Sequence, residues 1–152
     1  MRYLAFDYGT QSSGIAVGGD ISCSAEPLPA LTMNNGWADD EQLYKLVAEW
    51  SPDAFVLGLP ATPAQAAESK TSQPINIAKR VHSFSAYLQR KFNRPCHLID
   101  ERLSSRVMEE KLKDMGVKAE AGVLDSMVAC ALLQGWLEQQ ENTKDNTKKS
   151  GE

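Results

Sequence analysis

Residues 2–19 read RYLAFDYGTQSSGIAVGG, two apolar runs separated by a short polar segment with a glycine turn. This pattern predicts two strands, at 2–8 and 13–19, that pair as an antiparallel hairpin. Asp7 ends the first strand. Removing a lone carboxylate from water costs on the order of several kcal/mol, so an acid at a strand tip indicates a nearby cation, donor or open solvent. The alternative is that Asp7 only caps the turn, as Asp commonly does.

The rest of the chain alternates helical and extended patterns. In order, the predicted elements are a third strand at 22–32, a helix at 39–50, a buried strand at 54–59, a loop at 60–74, a helix at 75–88, a strand at 96–99, a helix at 104–115, a connection at 116–122 and a final helix at 123–137. The long loop suits a flap beside a functional site. This order predicts one mixed α/β domain at 1–138. The polar tail at 139–152 lacks apolar anchors and is predicted to be disordered.

Size and composition limit the class of protein. With 152 residues and 42% hydrophobic content, the chain suits one globular domain. No apolar run approaches the roughly 18 residues of a membrane span, and the N-terminus lacks a signal-peptide pattern, so a cytoplasmic protein without a membrane anchor is expected. Cys23, Cys96 and Cys130 are odd in number and far apart, which favours buried free thiols over disulfides or a thiolate metal site.

Charge is unevenly distributed along the chain. The formal net charge is −4, yet residues 69–106 hold eight basic and two acidic residues. The two acids are the adjacent pair Asp100 and Glu101, within a stretch that otherwise attracts anions. Such an arrangement fits a metal site that faces phosphate. The alternative is that helical cations such as Lys79 only solvate an outer helix face.

Three acids fall at the ends of predicted elements. Asp7 ends the first strand, Glu101 follows the last strand, and Asp125 lies in the first turn of the final helix. Three converging carboxylates repel one another unless a cation compensates, and Mg²⁺ or Mn²⁺ is the natural partner of oxygen ligands. Asp100 and Glu101 cannot both face such a site from an extended segment. Asp125 also has a purely structural interpretation, because Asp in a first helical turn stabilises the helix.

Four blocks of sequence match a known family in order. They are Ala5-Phe6-Asp7-Tyr8-Gly9-Thr10 with Gly14-Ile15-Ala16-Val17-Gly18, then Leu57-Gly58-Leu59-Pro60, then Asp100-Glu101-Arg102-Leu103-Ser104, then Leu124-Asp125-Ser126-Met127-Val128-Ala129. Together they resemble the YqgF family, also called RuvX, of RuvC-like Holliday junction resolvases and pre-16S rRNA nucleases. The resemblance implies an RNase H-like α/β fold, in which helices flank a mixed five-stranded sheet whose first three strands are antiparallel and the others parallel.

The resemblance also implies a nuclease site that depends on one or two Mg²⁺ or Mn²⁺ ions. Asp7, Glu101 and Asp125 fall on the family's catalytic, metal-binding triad, with Asp100 as a neighbour. The implied reaction is hydrolysis of phosphodiester bonds at the 5′ end of pre-16S rRNA, by a monomer or a homodimer. Nucleic acid is the expected partner, with pre-rRNA favoured over branched DNA. Contacts to the substrate are predicted for Thr10, Lys79, Arg102 and Arg106.

Departures from the family pattern keep other functions open. Gln11 stands where the family usually has a basic residue, Ser13 replaces an isoleucine, and residues 61–69 replace the usual loop after Gly-Leu-Pro. A non-catalytic nucleic-acid or protein-binding module is therefore an alternative. Another is a resolvase that cuts four-way DNA junctions as a dimer. An ATP-binding domain is a third, because Asp-x-Gly-Thr at a strand turn also resembles a phosphate loop, although known forms need two such domains.

Overall fold

The computed structural model describes residues 1–19, 24–59, 77–101 and 121–150, and within the last range the side chains of 126–140. In this part of the chain, six strands form one sheet in the order β4-β3-β2-β1-β5-β6. The strands are β1 (Arg2–Asp7), β2 (Ser12–Gly19), β3 (Ser24–Asn34), β4 (Trp37–Ala38), β5 (Ala54–Leu59) and β6 (Cys96–Asp100).

The sheet is mixed, as the sequence predicts. β2 pairs antiparallel with both β1 and β3, whereas β5 runs parallel to β1, and β6 runs parallel to β5. The register places Phe6 beside Leu57, and Leu57 beside Leu98. The carboxyl ends of β1, β5 and β6 therefore meet at one edge of the sheet, which we call the carboxyl edge.

The predicted strand count is wrong by one, because a turn adds the two-residue strand β4. The turn consists of Asn35 and Gly36, whose φ angles are 50° and 89°. Asn-Gly is the pair that most readily adopts these positive angles in a tight hairpin. It folds Trp37 and Ala38 back onto β3, where they pair with Asn34 and Met33.

Three helices are described, and their boundaries differ from the predicted ones, most of all at the end of the last helix. They are α1 (Asp40–Trp50), α2 (Ile77–Phe92) and α3 (Ala121–Ser150). Asp39 caps α1, since its Oδ1 accepts a hydrogen bond from the Gln42 amide at 3.1 Å. The backbone of α3 continues to Ser150, past residue 137, where the sequence predicts the helix to end. The disordered tail at 139–152 stays a prediction, because the side chains of 141–150 lie outside the described residues.

Two apolar clusters cover the two faces of the sheet. Along β1, Tyr3 and Ala5 pack into a cluster with α3, and Leu4 and Phe6 pack into a cluster with α1 and α2. Residues 54–57 of β5 are fully buried and contribute to both clusters. This is the pattern of a strand covered by helices on both sides, as its continuous apolar run predicts.

Several predictions fall outside the described residues. They are the loop and flap at 60–74, the helix at 104–115, most of the connection at 116–122, and the contacts of Arg102 and Arg106. Among the helices that the structure describes, none has an apolar stretch long enough to cross a membrane.

We predict that Gly36→Ala lowers the free energy of unfolding by about 1–2 kcal/mol, the usual cost of a left-handed backbone for a residue with a Cβ. The added Cβ would also lie only 2.6 Å from the Tyr8 hydroxyl and from Arg80 Nη1. Urea unfolding measures the change. The exposed neighbouring change Asn34→Ala is the control, with an expected effect within about 0.5 kcal/mol. Equal stability of Gly36→Ala and wild type would contradict the assignment of this turn.

Candidate functional site

Asp7 and Glu101 lie on the same face of the sheet at the carboxyl edge. Side chains alternate along a strand, so Asp7 shares the face of Tyr3 and Ala5, on which α3 packs. Glu101 directly follows β6, two residues after Ile99, which belongs to the same cluster. The structure thus brings together two of the three predicted triad acids.

Gly58 makes the approach of these two acids possible. β5 separates β1 from β6, so the two backbones are roughly 10 Å apart. Gly58 is level with Asp7 by extension of the ladder and pairs with Ile99. A Cβ on Gly58 would lie 3.3 Å from Glu101 Cγ and 2.7 Å from Leu132 Cδ1. The Glu101 side chain therefore extends over β5 into space that only glycine leaves open.

Asp100 occupies the opposite face. It pairs with Leu59, and Leu98, two residues earlier, packs in the cluster with α1 and α2. Alternation then directs Asp100 away from α3. The two adjacent acids therefore face opposite sides of the sheet, and the role of Glu101 as a ligand with Asp100 as its neighbour stays a prediction.

The turn between β1 and β2 is closed by a buried hydroxyl. Ser13 Oγ accepts a hydrogen bond from the Gly9 amide at 3.1 Å and donates one to the Gly9 carbonyl at 3.4 Å. A Cβ on Gly9 would lie 2.2 Å from the Ser12 carbonyl oxygen, so glycine is required there. Ser13, which departs from the family pattern, therefore holds the turn that follows Asp7. Thr10, a predicted substrate contact, lies in this turn and is half-buried.

The start of α3 reaches the same edge of the sheet. Ser126 is buried, and its Oγ accepts a hydrogen bond from the Ile15 amide at 3.2 Å. Ile15 pairs with Phe6, one residue before Asp7, and the register of β2 against β3 shifts between Ser13 and Ile15. A ladder interrupted in this way leaves an amide that a side chain can satisfy. No local pattern in the sequence indicates this contact, because Ser126 and Ile15 lie 111 residues apart in the chain.

Asp125 directly precedes Ser126 in α3, so the backbone carries Asp125 to the end of the sheet where Asp7 lies. Its side chain is outside the described residues. Among the described side chains, no three of His, Cys, Asp and Glu lie close enough together to hold a metal ion. The complete triad, and its role as a metal site, stays a prediction.

The electrostatics of Glu101 suit a cation. Burial raises the pKa of this carboxyl above its ordinary value of 4.5, and the negative charge of Asp100 raises the pKa further. Both effects mean that the ionised form lacks sufficient stabilisation from its surroundings. A divalent cation with oxygen ligands would supply it, and carboxylates such as Asp7 and Glu101 provide the oxygen ligands that Mg²⁺ and Mn²⁺ prefer.

Of the predicted basic contacts, the structure describes Lys79, which is exposed on α2, on the face opposite the two acids. Its neighbour Arg80 contacts the carboxyl edge. Arg80 Nη1 donates to the Asn35 carbonyl at 3.0 Å, and the Tyr8 hydroxyl donates to the Gly36 carbonyl at 2.8 Å. No local pattern in the sequence indicates this contact of Arg80, because the turn lies 45 residues away along the chain.

The described cysteines are free, as predicted. Burial raises the pKa of the Cys96 thiol to about 11, so it stays protonated at neutral pH. Cys130 is buried in α3, and its Sγ donates to the Ala25 carbonyl at 3.2 Å. Cys23 lies outside the described residues. Cys96 is therefore not a reactive thiolate, and Cys130 contributes to the packing of α3.

The sequence matches a family model described as RuvX, Holliday junction resolvase, over residues 1–139. It is 40% identical over 139 residues to a protein of Glaesserella parasuis named "Putative pre-16S rRNA nuclease", covering 90% of this chain and 96% of the relative. A Pseudomonas putida protein of the same name is 39% identical over 140 residues, covering 89% and 93%. A Legionella pneumophila protein, also of that name, is 35% identical over 144 residues, covering 91% and 96%.

The fold is that of RuvC-like, RNase H-like proteins. Thermus thermophilus RuvC, solved in complex with a Holliday junction substrate, superposes with a TM-score of 0.55 at 10% identity, covering 94% of this chain and 97% of that one. The yeast mitochondrial Holliday junction resolvase Ydc2 gives a TM-score of 0.55 at 16% identity, covering 94% and 80%. At these identities the likeness establishes the fold and confirms the predicted fold class.

We predict that, in the absence of metal, Glu101→Gln loses less stability than wild type when the pH is raised from acidic to neutral. The folded state holds the Glu101 proton more tightly than the unfolded chain does. The contribution of this group to the free energy of unfolding is therefore complete below pH 4.5, and it is lost as the pH rises through the raised pKa of the folded state. Glutamine has no such proton to lose.

Urea unfolding between pH 4 and pH 8 in EDTA measures this effect. The control is Glu49→Gln, which removes an exposed carboxylate on α1 and should leave the pH dependence of wild type in place. The same pH dependence in Glu101→Gln and wild type would show that Glu101 is not held in an unfavourable environment.

Proposed function

This chain belongs to the RuvX family, and from that premise we propose that it is a cytoplasmic nuclease that hydrolyses phosphodiester bonds at the 5′ end of pre-16S rRNA. The observation that carries the proposal is the placement of Asp7 and Glu101 on one face of the sheet, across Gly58. The names of the relatives at 35–40% identity support the choice of substrate.

Asp7, Glu101 and Asp125 are the proposed catalytic residues and would hold one or two Mg²⁺ or Mn²⁺ ions. Bound divalent ions of this kind activate water and stabilise the leaving oxygen of a phosphodiester. The carboxylates supply the hard oxygen ligands that these ions prefer. Gly58 keeps the space between the acids open, and Ser13 and Ser126 fix the elements that carry Asp7 and Asp125.

The basic residues would position the substrate. Arg102 and Arg106 follow Glu101 in sequence, and Lys79 lies on α2, so all three can neutralise phosphate oxygens of a strand that reaches the carboxyl edge. Thr10 would bind phosphate from the turn between β1 and β2, next to Asp7. Contacts to phosphate do not distinguish one base from another. Their effect is to set the position of the nucleic-acid strand on the protein.

A second candidate function is resolution of four-way DNA junctions. The description of the family model and the likeness in fold to RuvC support it. A resolvase must cut two strands symmetrically, which calls for a homodimer, whereas RNA processing is compatible with a monomer. The third candidate, a binding module without catalysis, rests on the departures at Gln11 and at 61–69.

We predict that Asp7→Asn, Glu101→Gln and Asp125→Asn each lower cleavage at least about 100-fold, because a direct metal ligand should matter more than the outer-shell partners whose loss costs roughly 10- to 100-fold. The assay uses RNA with the 5′ extension of the precursor and a four-way DNA junction, each with Mg²⁺ or Mn²⁺. The matched control is Asp100→Asn, the adjacent acid on the opposite face.

The outcomes separate the candidates. Cleavage of RNA alone supports the rRNA nuclease, and cleavage of the junction alone supports the resolvase. Full activity in Asp7→Asn would contradict the proposal that these carboxylates form the catalytic site. If the wild type cuts neither substrate with either metal, the binding module is the better interpretation.

We also predict that Mg²⁺ or Mn²⁺ raises the melting temperature of wild type more at pH 8 than at pH 5. Ionised Glu101 binds a cation, and the raised pKa keeps more of this residue protonated in acid. Calorimetry with and without metal measures the shift, which should shrink in Glu101→Gln and persist in Asp100→Asn. An equal shift in Glu101→Gln would contradict the proposed ligand set.

A further inference from the structure

A small pocket lies at the carboxyl edge, on the face opposite Asp7 and Glu101. Its volume is about 150 Å³, and six residues from the end of β1, the hairpin β3–β4 and α2 line it: Tyr8, Asn35, Gly36, Trp37, Arg80 and Ser83. Such a volume is too small for a drug-sized ligand, whose sites are typically about 300–1,000 Å³. It suits a single planar ring with an attached polar group. We call it the Trp37 pocket.

Trp37 presents an aromatic surface to this pocket. Its side chain is 52% exposed, which is unusual for so large an apolar group. Tyr87 of α2 supports it from one side, with ring centroids 5.7 Å apart and planes at 73°. Because the contact is edge-on, it fixes the indole without stacking on it. A second aromatic ring can therefore stack on Trp37 without displacing Tyr87.

Arg80 supplies a fixed positive charge in the same pocket. Its Nη1 donates to the Asn35 carbonyl, and the tight packing around Gly36 holds the guanidinium next to the Tyr8 hydroxyl. Asp40, at the start of α1, does not cancel this charge, because it pairs with Lys91 at 2.9 Å and accepts a hydrogen bond from Tyr87. A half-buried arginine beside an exposed indole attracts a ligand with an aromatic ring and a negative charge.

The position of the pocket relates it to the carboxylates. Tyr8 directly follows Asp7, and alternation places the two side chains on opposite faces at the same strand end. Tyr8 belongs to the cluster with α1 and α2. A strand of nucleic acid that passes over the carboxyl edge would meet Asp7 and Glu101 on one side of the sheet and Trp37 and Arg80 on the other.

We propose that the Trp37 pocket binds an unpaired nucleotide of the strand, with the base stacked on Trp37 and a phosphate beside Arg80. The proposal rests on the proposed function in that it assumes a nucleic-acid substrate. A base inside a duplex has both faces covered, so the pocket requires a single-stranded segment near the cleavage site. The pocket thereby selects single-stranded or locally unpaired substrate.

The test measures binding without cleavage. A fluorescein-labelled single-stranded RNA of ten nucleotides is titrated with the full chain in EDTA, and anisotropy reports the dissociation constant. Trp37→Ala should weaken binding about 5- to 150-fold, as expected for the loss of one stacked base. Trp37→Phe should retain most of the affinity, because phenylalanine also stacks. A duplex of the same sequence should bind more weakly to wild type and should not respond to Trp37→Ala.

A matched control is available in Tyr44 of α1. Its side chain is also 52% exposed, and it packs against Phe92 at the far end of α2, with ring centroids 5.5 Å apart. Tyr44→Ala should change the affinity less than about twofold. Tryptophan emission gives a second measurement, because bound RNA should quench wild type more than Trp37→Phe, which keeps Trp50 and Trp136. Arg80→Gln should weaken the salt dependence of binding by about one unit of slope.

Three results would contradict the proposal that the Trp37 pocket binds a nucleotide. Equal affinity of Trp37→Ala and wild type, equal losses in Trp37→Ala and Tyr44→Ala, or no binding of single strands by wild type would each overturn it. Single-stranded DNA is tested in the same way. If Trp37→Ala weakens the binding of DNA and RNA equally, the pocket recognises the base and the phosphate. If it weakens the binding of RNA alone, the 2′-hydroxyl contributes as well.

Failure of the pocket and failure of the proposed function are distinguishable. If RNA binds through Trp37 but is never cut, the pocket stands and the nuclease proposal fails. If RNA is cut in a manner that needs Asp7 but binds Trp37→Ala as tightly as wild type, the nuclease stands and the pocket fails.

Discussion

Side chains alternate between the faces of a sheet, and the site depends on this constraint in three neighbouring strands. The parallel ladders hold β1, β5 and β6 level, so Asp7, Gly58 and Glu101 all face α3. A side chain at position 58 would separate the acids on either side of it. The missing Cβ of one glycine is therefore as much a part of the carboxylate site as the carboxylates are, because it lets Glu101 reach across β5.

The same alternation gives the carboxyl edge a second face with a pocket of its own. One residue after Asp7, the chain directs Tyr8 to the other side of the sheet, where its hydroxyl bonds the Gly36 carbonyl. That bond ties the end of β1 to the hairpin that carries Trp37, and Arg80 of α2 joins them through Asn35. A single strand end thus organises an acidic site and a basic aromatic pocket on opposite faces, which is a suitable arrangement for a flexible strand that passes over the edge.

Much of the fold could be predicted from local pattern. The continuous apolar run at 54–59 predicts a strand covered on both faces, and residues 54–57 are fully buried in the structure. The apolar spacing at 43–50 and the acids that precede it predict α1 to within one residue. The strand β4 was missed, because two residues are too short to give a periodicity. Its formation depends on the Asn35-Gly36 turn and on partners in β3.

The sequence by itself determined that acids stand at the ends of strands, and the resemblance of four blocks indicated which acids form the candidate site. Only the tertiary structure decided which face of the sheet Asp7 and Glu101 share, that Gly58 opens space for the Glu101 side chain, and that Arg80 and Trp37 line one pocket. The physical reason is that these relations join residues far apart in the chain through the register of parallel strands and the packing of α2 and α3. No local pattern encodes that register or packing.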